Sequence, residues 1–215
     1  MKKNLFTTFV AIFAMHFLGF SQQPKFGITA GIALANMYAK SDNGSDHGKT
    51  KIGLIVGVLG DIPIAAHLSF QPALNFVQKG TKDQTENVDE KAKINVNYLE
   101  LPLHILYNTN HKAGNFFAGA GPSFAFALSG KTTVSSGGIE VSDKIKFGNS
   151  SDDDLKRFDF GIDFITGYQL SNGFMLAVNY NLGLSNLIPG DTGGSSFKNR
   201  YFGIRLGYFF GGTKK

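Results

Sequence analysis

The chain has 215 residues, 27 Gly and 21 Phe, no Cys and no Trp, and a formal charge of +5. Lack of Cys excludes disulfides and thiol chemistry. The mild, scattered basic charge lacks the footprint of a nucleic-acid binder, and 42% hydrophobic residues exclude a disordered chain.

The first segment, "MKKNLFTTFVAIFAMHFLGFSQQ", opens on Lys2 and Lys3 and is apolar over residues 5–20. That run is shorter than the ~20 residues of a spanning helix. Gly19 and Ser21 have the small-residue spacing of a signal-peptidase site. Residues 1–21 are therefore expected to be a cleaved signal peptide, and 22–215 a single exported domain.

Eight runs then alternate with period two: 25–38, 50–60, 67–79, 97–107, 115–128, 157–170, 174–184 and 200–210. In "NYLELPLHILY" (97–107), Leu99, Leu101, Leu103, Ile105 and Tyr107 share one face, while Glu100 and His104 lie on the other. In "RFDFGIDFITGYQL" (157–170), Phe158, Phe160, Ile162 and Phe164 oppose Arg157, Asp159 and Asp163. Such alternation predicts strands with one apolar face. The connections alternate as well. Residues 39–49, 80–93, 129–156 and 185–199 are long and polar, whereas 61–66, 108–114 and 171–173 are short. Sequential antiparallel strands produce this layout, and outer-membrane barrels have it.

Volume decides which face is the interior. Phe, Leu, Ile and Val dominate the apolar face and would overfill an eight-stranded interior. The opposite face is mostly Gly, Ala, Ser, Thr and Asn. It fits inside and is too poor in Lys and Glu to face water. The fold expected is all-β: an eight-stranded antiparallel up-and-down transmembrane β-barrel, apolar face to the lipid. Phe26, Tyr107, Tyr168, Phe174 and Tyr208 then form an aromatic girdle at the short-turn end. Glu100, His104, Arg157, Asp159, Asp163 and Arg205 point into the lumen, where opposite charges are expected to pair as a structural polar network. Glu100 is expected to pair with Arg205 or Arg157. Pro102 removes a ladder donor inside a strand, as do Pro72 and Pro122, so a bulge or broken pairing is expected there.

The stretches "FGITAGIALAN" (26–36), "SFQPALNFVQKG" (69–80), "VNYLELPLHILY" (96–107) and "FFAGAGPSFAFAL" (116–128), with a final aromatic strand, resemble the PorT-like outer-membrane β-barrel proteins. These are small barrels of the OmpA/OmpX kind. The resemblance covers nearly all of the mature chain and implies an eight-stranded membrane barrel mostly without assigned activity. It departs from many such barrels at the end, where residues 211–215 follow Phe210.

Enzymatic chemistry finds little support. His47, His67, His104 and His111 share no ligand spacing such as H-x-x-x-H. "SDNGSDHG" (41–48) and "DDD" (152–154) do not match an EF-hand loop and read as solvated charge. No G-x-S-x-G frame is present. No catalytic, cofactor or metal site is expected. The protein reads as a non-enzymatic, monomeric outer-membrane barrel with a filled lumen, in contact with outer-membrane lipid. A protein or polysaccharide partner is expected at loops 39–49, 80–93, 129–156 and 185–199. The alternatives are a soluble exported lipocalin-like barrel for an apolar ligand and a membrane-embedded hydrolase or acyltransferase.

Overall fold

The structure, a computed structural model, describes residues 23–41, 44–84, 91–109, 114–190 and 194–210, without the side chains of residues 46, 47, 83 and 84. The expected signal peptide lies outside the described residues, as do His111 and parts of three of the long connections. The strands are β1 (Lys25–Ser41), β2 (Gly44–His47), β3 (Lys51–Ala65), β4 (Leu68–Gln84), β5 (Lys91–Asn108), β6 (Gly114–Ser136), β7 (Ile139–Lys144), β8 (Phe158–Leu170), β9 (Phe174–Gly183) and β10 (Ser196–Phe210). Eight of them form an antiparallel ring in the order β1, β3, β4, β5, β6, β8, β9, β10. The ring closes where β10 pairs with β1, from Phe26↔Phe210 to Lys40↔Ser196.

The eight alternating runs are the eight barrel strands, but several strands are longer than their runs. The β4–β5 ladder continues to Gln84↔Lys91, so much of the expected 80–93 loop is strand. The expected 129–156 loop contains the end of β6 and all of β7. These pair as a hairpin from Lys131↔Lys144 to Ser136↔Ile139. Its turn is Gly137–Gly138, with φ of 56° and 83°, a conformation at two central residues that favours glycine. β2 folds back on β1 in the same way. At the other end the described turns are tight: two residues between β3 and β4, and three between β8 and β9.

The side chains separate by parity. Leu206 (66% exposed), Ile52 (65%), Leu176 (54%), Phe164 (47%) and Leu101 (40%) stand on the outer surface. Their partners in alternation, among them Glu100, His104, Asp163 and Arg205, are buried. An exterior this apolar over the whole ring fits lipid and not water, which removes the lipocalin-like alternative. Phe26, Tyr107, Tyr168 and Phe174 are exposed at the tight-turn end, and Tyr208 stacks edge-on against Phe174 and Phe210 at ring separations of 5.1 and 5.4 Å.

Of the four strand prolines, Pro72, Pro102 and Pro122 sit at gaps in the ladder, whereas Pro63 sits at the register shift between Pro63 and Ala65 on β3. β4 and β5 pair in one register through Asn75↔Glu100 and again from Pro72↔Leu103, with a two-residue interruption between. β5 and β6 are likewise interrupted between Pro102↔Ser123 and Ile105↔Ala120. Pro122 lies within this second gap, as Pro102 lies within the first. Clustering the missing donors where pairing is already open limits the loss to one short stretch of wall.

Candidate functional site

The barrel interior is layered. At the tight-turn end Leu59, Leu106, Phe117, Ile165, Met175 and Phe209 form an apolar plug. At the long-loop end Met37, Val96 and Tyr98 pack with Ile145, Leu155 and Leu187, which the long connections fold over the mouth. A smaller group around Ile55, Val77 and Tyr201 lies on the β1, β3, β4 and β10 wall. The interior is therefore bulkier than its run of small residues implies, because each end is filled by large side chains.

Between the plugs runs one continuous chain of polar contacts. His104 Nε2 lies 2.9 Å from Asp163 Oδ1. Asn179 Nδ2 donates to Asp163 Oδ2 at 2.8 Å, and Arg205 Nε donates to Asn179 Oδ1 at 3.0 Å. Arg205 Nη2 donates to the Tyr201 hydroxyl at 3.2 Å, which donates to Glu100 Oε1 at 2.6 Å. Lys79 Nζ bridges Glu100 Oε2 at 2.7 Å and Asp159 Oδ2 at 3.4 Å. Asn199 Nδ2 donates to both Asp159 Oδ2 (2.9 Å) and the Tyr98 hydroxyl (3.1 Å). Lys79 also lies over the rings of Tyr98 and Tyr201, at 5.0 and 5.3 Å. Strands β4 and β5 thus meet β8, β9 and β10 across the lumen.

Glu100, His104, Asp159, Asp163 and Arg205 all belong to this chain. Arg157 does not: it is exposed. It immediately precedes β8, where the pleat that fixes parity has not begun. Its Nη1 donates to the Ala127 carbonyl at 3.2 Å, and its guanidinium lies over Phe126 and Phe147 at 5.4 and 5.3 Å. The partner of Glu100 is accordingly Lys79, not Arg157, and Arg205 reaches it only through Tyr201. Lys79, Tyr98, Asn179, Asn199 and Tyr201 are members that the sequence reading leaves out. Parity was the available signal, since Lys79 shares phase with Gln71 and Asn75, and Tyr201 with Arg205. A lysine closing a run reads as a strand end, and Tyr98 and Tyr201, polar only at the hydroxyl tip, do not stand out beside the charged lumen residues.

The mouth carries an open cleft of about 740 Å³ between the β1–β2 hairpin, the β6–β7 hairpin and the 185–199 connection. Ile94, Ile145, Leu155 and Phe197 line it, with Lys40 and Asp143 among its polar groups. Beside it the "DDD" carboxylates serve the loop backbone: Asp153 Oδ2 accepts from Ser150 N at 3.0 Å, and Asp154 Oδ2 from Lys146 N at 2.7 Å. Among the described residues no group of three or more His, Asp or Glu is arranged to hold a metal ion. His67 is exposed and stacks on Tyr107, far in sequence from Asp163 and His104. The "SDNGSDHG" segment lies partly outside the described residues.

Several solved structures align along most of the chain. One is the attachment invasion locus protein Ail of Yersinia pestis, in complex with the heparin analogue sucrose octasulfate. It is 14% identical, the alignment covers 88% of this chain and 100% of that one, and the TM-score is 0.44. Another is Neisserial surface protein A, 13% identical over 87% and 98% of the two chains, with a TM-score of 0.41. A search of the curated proteins finds no match. The family model for the outer membrane protein beta-barrel domain matches residues 20–189, from before β1 to the connection after β9. With its closed ring of eight strands and its apolar outer surface, the chain belongs to this family and is a β-barrel protein of the bacterial outer membrane.

Proposed function

We propose that this protein is a closed, monomeric, non-enzymatic barrel of the PorT-like kind, and that it works through its long-loop end, which faces the cell exterior. The observation that carries the reading is the pairing of a plugged lumen with an open mouth cleft. Two apolar plugs and the Lys79–Glu100–Asp159 contacts support a filled lumen and argue against a diffusion pore, as expected for an eight-stranded ring. The histidine–carboxylate contact of the lumen, His104 with Asp163, is buried beneath the plugs, where no substrate reaches it. This argues against the hydrolase or acyltransferase alternative. The cleft instead combines an apolar floor with charged edges, a surface suited to a partner protein or surface polysaccharide.

Two measurements test this. In planar bilayers the purified protein is expected to show no stable large single-channel steps; such steps would refute the closed lumen. Because the chain has no Cys, Ser45→Cys at the cleft takes a single photo-crosslinker. Adducts in intact outer membranes are expected from Ser45→Cys and not from the lipid-facing Leu206→Cys. Equal or absent adducts from both would refute the cleft as the working surface.

A further inference from the structure

The outer face of strands β4 to β7 changes character above the lipid band. Phe76, Leu99 and Phe126 form the last continuous apolar row, paired Phe76↔Leu99 and Leu99↔Phe126; above it a single apolar side chain, Leu128, is exposed where the β5–β6 register shifts. The next row is polar: Gln78 Nε2 donates to Asn97 Oδ1 at 3.2 Å, and Asn97 Nδ2 to Ser129 Oγ at 3.0 Å. Beyond it lie lysines. Lys131 is directly opposite Lys144, and Lys82 is directly opposite Lys93. Lys93 is opposite Thr133, two positions along β6 from Lys131. The two lysine pairs are thus diagonal neighbours on one face of four adjacent strands, and all four residues are exposed.

Like charges directly opposite each other destabilise a sheet, yet this surface repeats the arrangement twice. None of the four takes part in an ion pair among the described residues. Asp143, next to Lys144, is opposite Thr132 and alternates to the other face of the hairpin, although both Asp143 and Lys144 border the cleft. Glu140 shares the outer face but sits near the hairpin tip, opposite Ser135. Lys131 and Lys93 lie four to six positions beyond the Leu99 row, so roughly 10–15 Å above it for strands tilted by about 40°. Flexible lysine stems reach back several ångströms from there toward the headgroup layer.

We propose that Lys82, Lys93, Lys131 and Lys144 bind a phosphate-bearing lipid headgroup of the outer leaflet, whose anionic charge offsets the two lysine–lysine contacts. Continuity with the lipid-facing wall favours a lipid over a soluble anion: a molecule whose tails lie on Leu99 and Phe126 presents its phosphates at this height. The assignment rests on the reading that the long-loop end is extracellular.

The test uses the full chain in phosphatidylcholine nanodiscs, with diphosphorylated lipid A as the probe. Each lysine beside an anionic lipid surface contributes about fivefold in affinity. Lys93→Gln with Lys131→Gln is therefore expected to weaken lipid A binding roughly 25-fold, whereas Lys25→Gln, at the tight-turn end of the barrel, leaves it within about twofold. In phosphatidylcholine alone, Lys93→Gln is expected to raise the urea midpoint by relieving repulsion; this also shows that the variant folds. Unchanged lipid A binding by the double variant would overturn the site. So would inorganic pyrophosphate binding as tightly as lipid A, or heparin binding that is lost in the variant while lipid A binding is kept. Maleimide labelling of Ser45→Cys on intact cells tests orientation separately. Labelling only after permeabilisation would overturn the outer-leaflet assignment whatever the nanodisc result.

Discussion

Lys79 is the point at which the lumen network is most vulnerable. Its ammonium stands between Glu100 and Asp159, at 2.7 and 3.4 Å, with all three side chains at most 2% exposed. At an effective dielectric near 20, each close pair of unit charges contributes about 4–6 kcal/mol, against a desolvation cost of several kcal/mol per ion. Lys79→Met keeps the length of the side chain and removes the charge, which strands two buried carboxylates. Glu100 keeps the Tyr201 hydroxyl and Asp159 keeps Asn199, so the loss belongs at the lower end of the 3–5 kcal/mol range for a broken buried pair: about 3 kcal/mol. Adding Glu100→Gln removes one stranded charge and should recover about half of that loss. The assay is reversible urea unfolding in lipid vesicles on the parent, both single variants and the double variant, read as a double-mutant cycle. A Lys79→Met change below about 1 kcal/mol, or a double variant no more stable than Lys79→Met, would show that the network does not hold the barrel together.

Leu101 is lipid-facing and 40% exposed; Leu101→Arg should cost about 2–4 kcal/mol in the same assay if it lies near the bilayer midplane, and a silent result would refute the register. Glu100→Gln alone leaves Lys79 with only Asp159 and should destabilise measurably without blocking insertion, as monitored by heat-modifiable gel mobility. Arg157→Gln should cost no more than about 1 kcal/mol, the scale of an exposed cation–π contact, whereas Arg205→Gln should cost more because Arg205 is buried on Tyr201 and Asn179. Intact-mass analysis of membrane-extracted protein should find Gln22 as the first residue; a mass retaining Lys2 and Lys3 would refute the signal peptide.

What the sequence makes legible follows from where lipid is. Leu99, Leu101 and Ile105 alternate against Glu100 and His104 because lipid enforces parity on one face and the lumen on the other. Above the lipid both faces meet water, so the ladder continues through Lys82↔Lys93 with no apolar rhythm to mark it, and the strand reads as loop. The β6–β7 hairpin escapes for the same reason, although Gly137–Gly138 between Val134 and Val141 is a recognisable turn. Within the lumen, residue type and phase identify the charged members. They do not identify partners, because Lys79 and Asp159 are brought together by ring closure and not by spacing. Arg157 shows the limit of phase: it has the right parity by count but stands one residue before the strand that gives parity meaning.

The Tyr201–Glu100 bond joins residues 101 positions apart, and β10, which carries Tyr201, Asn199 and Arg205, is the strand that closes the ring on β1. Until it docks, Asp159 lacks Asn199, Glu100 lacks Tyr201, and an open sheet edge faces the bilayer, where unsatisfied polar groups are strongly disfavoured. The final strand is therefore the latch of the ring: its docking on β1 completes the lumen network and removes both open edges in one step.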